Sequence, residues 1–320
     1  MNPLLRTTLG LAGAGVAGIA YAGLVERNAF ALRRFEVPVL PAGSSPMRVL
    51  HVSDLHLVPG QERKIGWVRR LADLRPDLVV NTGDNLAHMR AVPAVIRALE
   101  PLMQLPGVFV MGSNDYWAPT PKNPALYLTT SYASRPPSKL LPTGDLTRAF
   151  VEAGWLDLTN ARGSLTVAGH PVEFVGVDDP HRSLDRYAAV SGPADPFAAL
   201  TVGVTHAPYT RVLDAMVADG ARLVLAGHTH GGQLCLPLYG ALVTNCDLDR
   251  SRAKGLSRWW PGAGGPPGRG GKPGPAPQPS SAAPPDAAWL EVSAGLGTSP
   301  YAPVRFACRP EATLLTLVGR

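Results

Sequence analysis

The chain has 320 residues and a formal net charge of +6, from 30 Lys and Arg against 24 Asp and Glu. Hydrophobic residues make up 45% and charged residues 17%, which excludes a chain that is disordered throughout. Its three cysteines are too few and too scattered for a disulfide scaffold or a thiolate zinc site. A charge of +6 does not by itself predict nucleic-acid binding, so we expect no nucleic-acid partner.

The first predicted element is an uncharged stretch of 19 residues from Thr7 to Val25. As a helix this stretch just spans a hydrocarbon core of about 30 Å, so we expect residues 1–30 to form a membrane anchor. Gly10, Ala14, Gly18 and Ala22 fall four residues apart, a spacing that permits weak self-association of membrane helices.

Two other readings of this N-terminal stretch stay open. Ala20-Tyr21-Ala22 fits a small-x-small cleavage site, so the stretch can be a signal peptide that is removed after export. It can also be a buried, Gly/Ala-rich helix of a soluble protein. Arginines flank the stretch on both sides, and their numbers leave the side of the membrane undecided.

Residues 31–46 read as a linker, and residues 47–320 are predicted to form one α/β domain. Strands alternate with helices in its first half, which favours parallel strands joined by right-handed crossovers. The hydrophobic pattern predicts strands at 47–53, 77–81, 107–111, 172–177, 200–205, 222–226, 289–293 and 313–318, and helices at 62–74, 91–105 and 211–219.

Residues 261–286 interrupt this domain with a run of proline and glycine that holds no large apolar side chain. Such a segment buries too little surface to offset the entropy lost on ordering. We therefore expect a disordered insertion, which is a surface loop expanded within one domain.

Polar residues that are able to bind metals follow the predicted strands at five places. These motifs are Asp54-Leu55-His56, Gly83-Asp84, Gly112-Ser113-Asn114-Asp115, His206 and Gly227-His228-Thr229-His230. Ligands of α/β sheets lie at the carboxyl ends of strands. Each motif alone is weak, because short Asp-x-His patterns often only cap a turn, but their shared placement predicts one metal site.

In this order the five motifs resemble those of the calcineurin-like metallophosphoesterase superfamily, which have the form D-x-H, G-D, G-N-H-D/E, H and G-H-x-H. The resemblance spans about residues 47–232, and residues 294–297 and 302–306 look like the returning strands of the family. It implies a layered β-sandwich flanked by helices and a hydrolase that acts on phosphoester bonds. The chain looks most like the bacterial membrane-associated branch, which implies a phosphorylated small-molecule or lipid-linked substrate.

The resemblance also implies roles for single residues. Asp84 would bridge two divalent cations, with Asp54, His56 and His230 completing one site and His206 and His228 serving the other. A metal-activated hydroxide would attack phosphorus in line. Carboxylate and imidazole ligands without thiolates suit Mn²⁺, Fe or Zn²⁺, and the identity of the metal stays open.

The third motif departs from the family pattern. Ser113 stands where the family has a metal-binding Asn, and Asn114 stands where it has the catalytic His. Either the loop shifts by one residue so that Asn114 supplies the amide oxygen, or the second metal is held loosely with Ser113 or water. We favour the shift, which makes Asn114 a metal ligand and, with Asp84, part of the catalytic centre.

In both cases the histidine that protonates the leaving group is missing. General acid catalysis matters most for poor leaving groups, so we expect pyrophosphate or activated diester substrates. His88 and His181 are candidates for a replacement acid, although isolated loop histidines are more often merely solvated.

Two rival functions stay open. One is a catalytically weak or inactive scaffold of the same fold, and the other is a nucleotide or nucleic-acid phosphodiesterase.

Overall fold

The computed structural model describes residues 13, 15–121, 139–265 and 277–320. Its described part contains two six-stranded sheets and a short two-stranded hairpin. The strands are β1 (Ala31–Leu40), β2 (Met47–Val52), β3 (Leu78–Asn81), β4 (Gly107–Phe109), β5 (Leu156–Asp157), β6 (Arg162–Val167), β7 (His170–Gly176), β8 (Leu200–Thr205), β9 (Leu223–Ala226), β10 (Cys235–Leu236), β11 (Gly240–Ala241), β12 (Gly255–Trp259), β13 (Ala288–Val292) and β14 (Glu311–Gly319).

The strand order is β1-β14-β2-β3-β4-β5 in the first sheet and β12-β13-β9-β8-β7-β6 in the second. Strands β2 to β5 are parallel to one another, and so are β7, β8, β9 and β13. Every residue of β3, β8 and β9 is buried, as expected for parallel strands that are covered on both faces.

Side chains of the two sheets share one apolar core. Val49 and Val80 of the first sheet pack in the same cluster as Phe174, Val202 and Leu225 of the second. The sheets therefore lie face to face, which confirms the predicted layered β-sandwich.

Helices cover the outer faces of the two sheets. They are α1 (Glu62–Arg69), α2 (Val92–Leu99), α3 (Ser113–Tyr116), α4 (Thr143–Glu152) and α5 (Thr210–Ala218). Helices α3 and α4 are not among the predicted elements, although Leu146 and Phe150, four residues apart, form the buried face of α4. Helices α1, α2 and α5 each connect two neighbouring parallel strands of one sheet, whereas α3 is a single turn that follows β4 and carries part of the third motif.

Residues 31–46 are not simply a linker, because their first ten residues form β1 and pair in parallel with β14. Val37, Val39 and Leu40 are buried in the core between the sheets. The sequence pattern did not predict this strand because Pro38 interrupts it. Proline is tolerated here because β1 lies at the edge of its sheet, where one side of the strand needs no hydrogen bonds.

The expected membrane anchor falls largely on residues that the structure does not describe, since residues 1–12 and 14 lie outside the described part. Residues 15–20 are helical, followed by a π-helical turn over Tyr21–Val25. Among the described helices, none is long and apolar enough to cross a membrane.

The expected insertion at residues 261–286 also falls partly outside the described residues, at 266–276. Its described ends contact the body of the protein. The backbone N–H of Gln278 donates to the carbonyl of Ala263 (2.8 Å), and the Arg252 guanidinium donates to the carbonyl of Gln278 (2.6 Å).

Candidate metal centre

All five motifs lie just beyond the carboxyl ends of buried strands. The first three follow β2, β3 and β4 of one sheet, and the last two follow β8 and β9 of the other. Because the sheets face each other, five strand ends from two layers bring these residues to one place.

Tight backbone turns present these residues to a common centre. Five of the predicted metal-site residues have a positive φ, namely Asp54 (52°), His56 (40°), Asp84 (55°), His228 (69°) and His230 (50°). Residues other than glycine rarely adopt this conformation, which costs on the order of 1–3 kcal/mol each and is concentrated at functional sites.

A first group of ligands is formed by Asp54, His56, Asp84 and His230. One donor atom from each lies within 4.8 Å of those of the other three. His56 Nε2 lies 3.4 Å from Asp84 Oδ2, His230 Nε2 lies 3.4 Å from Asp54 Oδ1, and the two Nε2 atoms are 3.1 Å apart. His230 Nδ1 lies 3.2 Å from the carbonyl of Gly297 and can donate to it, which leaves Nε2 as a ligand atom.

A second group lies on the other side of Asp84. His206 Nε2 is 3.5 Å from Asp84 Oδ1, and its Nδ1 lies 2.7 Å from the carbonyl of Thr82. His206 Nε2 is buried and has no hydrogen-bond partner among the described residues. The ring of His228 lies 5.2 Å from that of His206, centroid to centroid. Asp84 thus contacts an imidazole of each group, His56 of the first and His206 of the second.

The altered third motif also contacts Asp84. The backbone N–H and the side-chain Nδ2 of Asn114 donate to Asp84 Oδ1 and Oδ2, each at 2.7 Å. Ser113 faces elsewhere, toward the carboxyl group of Asp179, whose pKa it lowers. The structure therefore brings Asn114, not Ser113, into contact with Asp84.

The pKa values of three of these residues favour the protonation states that bind metal. Burial opposes the ionisation of Asp84, but His206, His56 and the Asn114 hydrogen bonds outweigh it and hold the pKa of Asp84 well below its usual range. Burial lowers the pKa of His56 to about 4 and that of His230 well below its ordinary value. An ionised carboxylate beside neutral imidazoles is the form that binds metal.

His206 and Asp54 behave differently. Burial lowers the pKa of His206, but Asp84, Asp179 and Asp54 outweigh burial and raise it to about 9. Burial raises the pKa of Asp54 to about 6, although His206 opposes that rise. Without a cation, a proton on His206 therefore balances part of the carboxylate charge.

The types and burial of these residues fit the binding of divalent metal. Two buried carboxylates and four imidazoles meet here, and His206 Nε2 lacks a hydrogen-bond partner within the described part of the chain. Such a concentration of buried ligand atoms is costly unless a cation compensates it.

Several supporting contacts were only partly visible in the sequence. His51 is fully buried and pairs with Glu291. Its Nε2 lies 2.8 Å from Thr82 Oγ1, which donates to Ser53 Oγ (2.7 Å), and Ser53 donates to Asp54 (2.5 Å). No sequence signal singled out Glu291, because its partner lies 240 residues away.

Arg305 is a second residue that the sequence did not single out. It is fully buried, and its Nη2 donates to the carbonyls of Ala294 (2.7 Å), Gly295 (3.0 Å) and Gly297 (2.7 Å). This guanidinium thereby holds the loop after β13 against Asp54. Gly295 itself has a φ of +67°, and a Cβ there would lie 2.5 Å from the Asp54 Cβ.

The two candidate acids have different positions. The ring of His181 lies 4.4 Å from that of His228, centroid to centroid, so it borders the second group. His88 Nδ1 accepts a hydrogen bond from the backbone of Arg90 in its own loop (3.0 Å). Of these two histidines, the structure brings only His181 to the centre.

Comparison with known proteins agrees with this geometry. A family model described as calcineurin-like phosphoesterase matches residues 47–232, more than half of the chain. The uncharacterized metallophosphoesterase YkuE of Bacillus subtilis is 28% identical over 220 residues, covering 64% of this chain and 66% of that protein. A bovine protein named transmembrane protein with metallophosphoesterase domain is 28% identical over 227 residues, covering 64% of this chain and 45% of its own length.

Among solved structures, a 5'-nucleotidase precursor from Thermus thermophilus aligns with a TM-score of 0.40 and 14% identity, covering 85% of this chain and 55% of that one. The alignments span less than two thirds of the length of these curated relatives. On the extent of the family match, the chain belongs to the calcineurin-like metallophosphoesterases, a family of enzymes that hydrolyse phosphoester bonds.

Proposed function

We propose that the protein is a phosphohydrolase with a dinuclear metal centre, in which Asp84 bridges the two cations. One observation carries the proposal: six buried or nearly buried carboxylate and imidazole side chains from four strand ends meet around this carboxylate. A scaffold has no need for so many costly buried ligands, which argues against the inactive rival.

Each cation has its own ligands in this proposal. Asp54, His56 and His230 hold the first cation, and His206, His228 and the Asn114 amide oxygen hold the second. The donor set suits Mn²⁺, Fe or Zn²⁺. When bound, a pair of such cations lowers the pKa of a water and stabilises the charge that develops on a phosphoryl group.

The residues of the chain have roles that follow from their contacts. Asn114 orients Asp84 through two hydrogen bonds of 2.7 Å. The buried series from Glu291 through His51, Thr82 and Ser53 orients Asp54. Pre-orientation of this kind lowers the reorganisation needed in the transition state.

The substrate preference follows from the missing histidine. The Asn114 amide has no titratable proton to give to a leaving oxygen. We therefore propose substrates whose leaving group is already stable, namely a pyrophosphate or an activated phosphodiester. A nucleotide or nucleic-acid phosphodiesterase is the second candidate, and hydrolysis of oligonucleotides would favour it.

We also propose that the protein associates with a membrane and acts on a phosphorylated small-molecule or lipid-linked substrate. Support comes from the uncharged stretch over residues 7–25 and from Val16, Ile19 and Leu24, whose side chains are 69–70% exposed. Exposed apolar surface on this scale is typical of interaction sites. An anchored chain and an exported chain differ in whether residues 1–22 remain, which mass spectrometry of the native protein measures.

The test of the proposed activity uses the purified full chain with added Mn²⁺. We expect two equivalents of metal and faster hydrolysis of bis(p-nitrophenyl) phosphate and a nucleoside diphosphate ester than of an alkyl phosphomonoester. A chain that takes up no divalent metal and hydrolyses none of the three would refute the proposal.

A further inference from the structure

The carboxyl group of Asp179 has no assigned role, although it lies beside the second group of ligands. Asp179 follows β7 and is fully buried. Its Oδ1 accepts a hydrogen bond from the backbone N–H of His181 (2.9 Å), which caps a short 3-10 turn. Its Oδ2 is buried without a hydrogen-bond partner of normal geometry among the described residues.

The cap of the turn explains only one of the two carboxylate oxygens of Asp179. One carboxylate oxygen is enough to accept the N–H of His181, and the other oxygen is left in a dry place where an unpaired charge is costly. A serine or asparagine at position 179 caps such a turn without that cost. The second oxygen therefore calls for a positively charged neighbour.

The surroundings of Asp179 indicate where that neighbour lies. His206 and Asp84 are the two strongest charged influences on its pKa, which burial raises to about 6. His206 Nε2, which lies 3.5 Å from Asp84 Oδ1, is also buried without a hydrogen-bond partner in the described part of the chain, so two buried ligand atoms in this region lack such a partner. His181, two residues after Asp179, packs against the ring of His228.

Ser113 connects Asp179 with the altered third motif. Ser113 occupies the position of the family amide ligand but faces the Asp179 carboxyl group. A hydroxyl is a poor ligand for a divalent cation, whereas a carboxylate is a strong one. Serine is also shorter than asparagine, so it leaves room where the amide would stand.

We propose that Asp179 Oδ2 is an additional ligand of the cation that His206, His228 and Asn114 hold, next to the short side chain of Ser113. This inference rests on the proposed function, because it assumes a second cation. With Asp54 and Asp84, Asp179 supplies a third carboxylate to the centre, which favours a hard, oxygen-binding cation such as Mn²⁺ at the second position.

Asp179→Asn tests the proposal, with Asp178→Asn as its matched control. The amide keeps the shape of the side chain and an oxygen for the cap, but it removes the charge. Asp178 is the adjacent carboxylate and accepts a hydrogen bond from the Tyr116 hydroxyl (2.9 Å). Mn²⁺ bound to the full-length chain is counted by elemental mass spectrometry, and its affinities are measured by calorimetric titration.

We expect two Mn²⁺ in the wild type and in Asp178→Asn, and one in Asp179→Asn. The second dissociation constant should weaken at least about 10-fold, because even residues that only orient ligands commonly change metal affinity 10- to 100-fold. The spin-coupled Mn²⁺ pair signal in electron paramagnetic resonance should give way to that of an isolated ion. Retention of the first Mn²⁺ shows that the variant is folded.

A second variant separates ligation from simple packing. Ser113→Ala removes the hydroxyl that faces Asp179 but keeps the carboxylate, so we expect two bound Mn²⁺. Equal affinities for both ions in Asp179→Asn and wild type would overturn this inference alone. A wild-type chain that binds no Mn²⁺ would overturn the proposed function as well.

Discussion

The two halves of the metal centre differ in how closely they follow the family pattern. On the Asp54 side the motif residues are intact and their donor atoms are tightly gathered. On the His206 side the third motif is altered, and Asn114 and Asp179 occupy the surroundings. The comparison teaches that the surroundings of an altered motif can draw on a neighbouring residue of the same loop and on a residue of the other sheet, because the ends of strands from both sheets meet here.

The largest effect is expected from Asp84, which the two halves share. Asp84→Asn removes the charge that both sets of imidazoles face, so both cations should bind weakly. We expect at least about 10³-fold loss in kcat/KM for bis(p-nitrophenyl) phosphate, since metal ions supply several kcal/mol of charge stabilisation. Asp145→Asn, on the exposed face of α4, is the control and should match the wild type. Wild-type turnover by Asp84→Asn would remove the basis for a shared ligand.

Asn114→His tests whether the altered half sets the substrate preference. The change supplies the histidine that the family has here when the motif is aligned without a gap, and because it also removes the proposed amide ligand, we compare the ratio of two substrates and not the absolute rate. We expect the rate on an alkyl monoester, relative to the activated diester, to rise about 10- to 100-fold, because general acid catalysis helps poor leaving groups most. Asn114→Gln keeps an amide and should bring no such rise. An unchanged ratio for Asn114→His would show that the missing histidine does not set specificity.

The two halves should also differ in their response to pH. Binding of a cation to the second half requires loss of the proton on His206, whose pKa is raised to about 9, whereas the pKa of His56 is lowered to about 4. Between pH 6.5 and 9 we expect the second Mn²⁺ to bind about 10-fold more tightly per pH unit and the first to change little above pH 6, the pKa of Asp54. Calorimetry in two buffers of different ionisation enthalpy counts the protons released. Equal pH slopes for the two ions would contradict this assignment.

The raised pKa of His206 also makes the stability of the metal-free chain depend on pH. The folded pKa of His206 lies above its ordinary value of 6.5, so its contribution to stability is complete below pH 6.5 and is lost as the pH rises through 9. Thermal unfolding of the metal-free chain should therefore move to lower temperature over that range. His206→Gln is the control, and its unfolding temperature should change less with pH.

A smaller effect is expected at Gly295, in the loop after β13 that packs against Asp54. Gly295→Ala places a Cβ 2.5 Å from the Asp54 Cβ at a φ of +67°. We expect a loss of about 1–3 kcal/mol in the free energy of unfolding, with weaker binding of the first Mn²⁺. Gly43→Ala has a similar φ of +77° and no atom within 4 Å, so it measures the backbone cost alone. Equal losses in the two variants would show that the loop yields without disturbing Asp54.

Most of the regular elements that surround the centre were predictable from the sequence. Strand β8 was predicted with its exact bounds, and β2, β3 and β9 to within one residue, because long apolar runs are typical of strands buried on both faces. Strand β1 was missed because Pro38 breaks its pattern and its partner, β14, lies at the other end of the chain. Pairing over such a distance leaves no local signal.

Residue chemistry and motif order alone indicated the family and the six residues that we propose as metal ligands, since few side chains bind divalent cations and the strand ends that carry them are marked by apolar runs. Tertiary structure decided the rest. It placed Asn114 rather than Ser113 against Asp84, brought His181 but not His88 to the centre, and buried Asp179 beside His206. These outcomes depend on how two sheets face each other and on loops that bend at single residues, and neither is recorded in the local pattern of the chain.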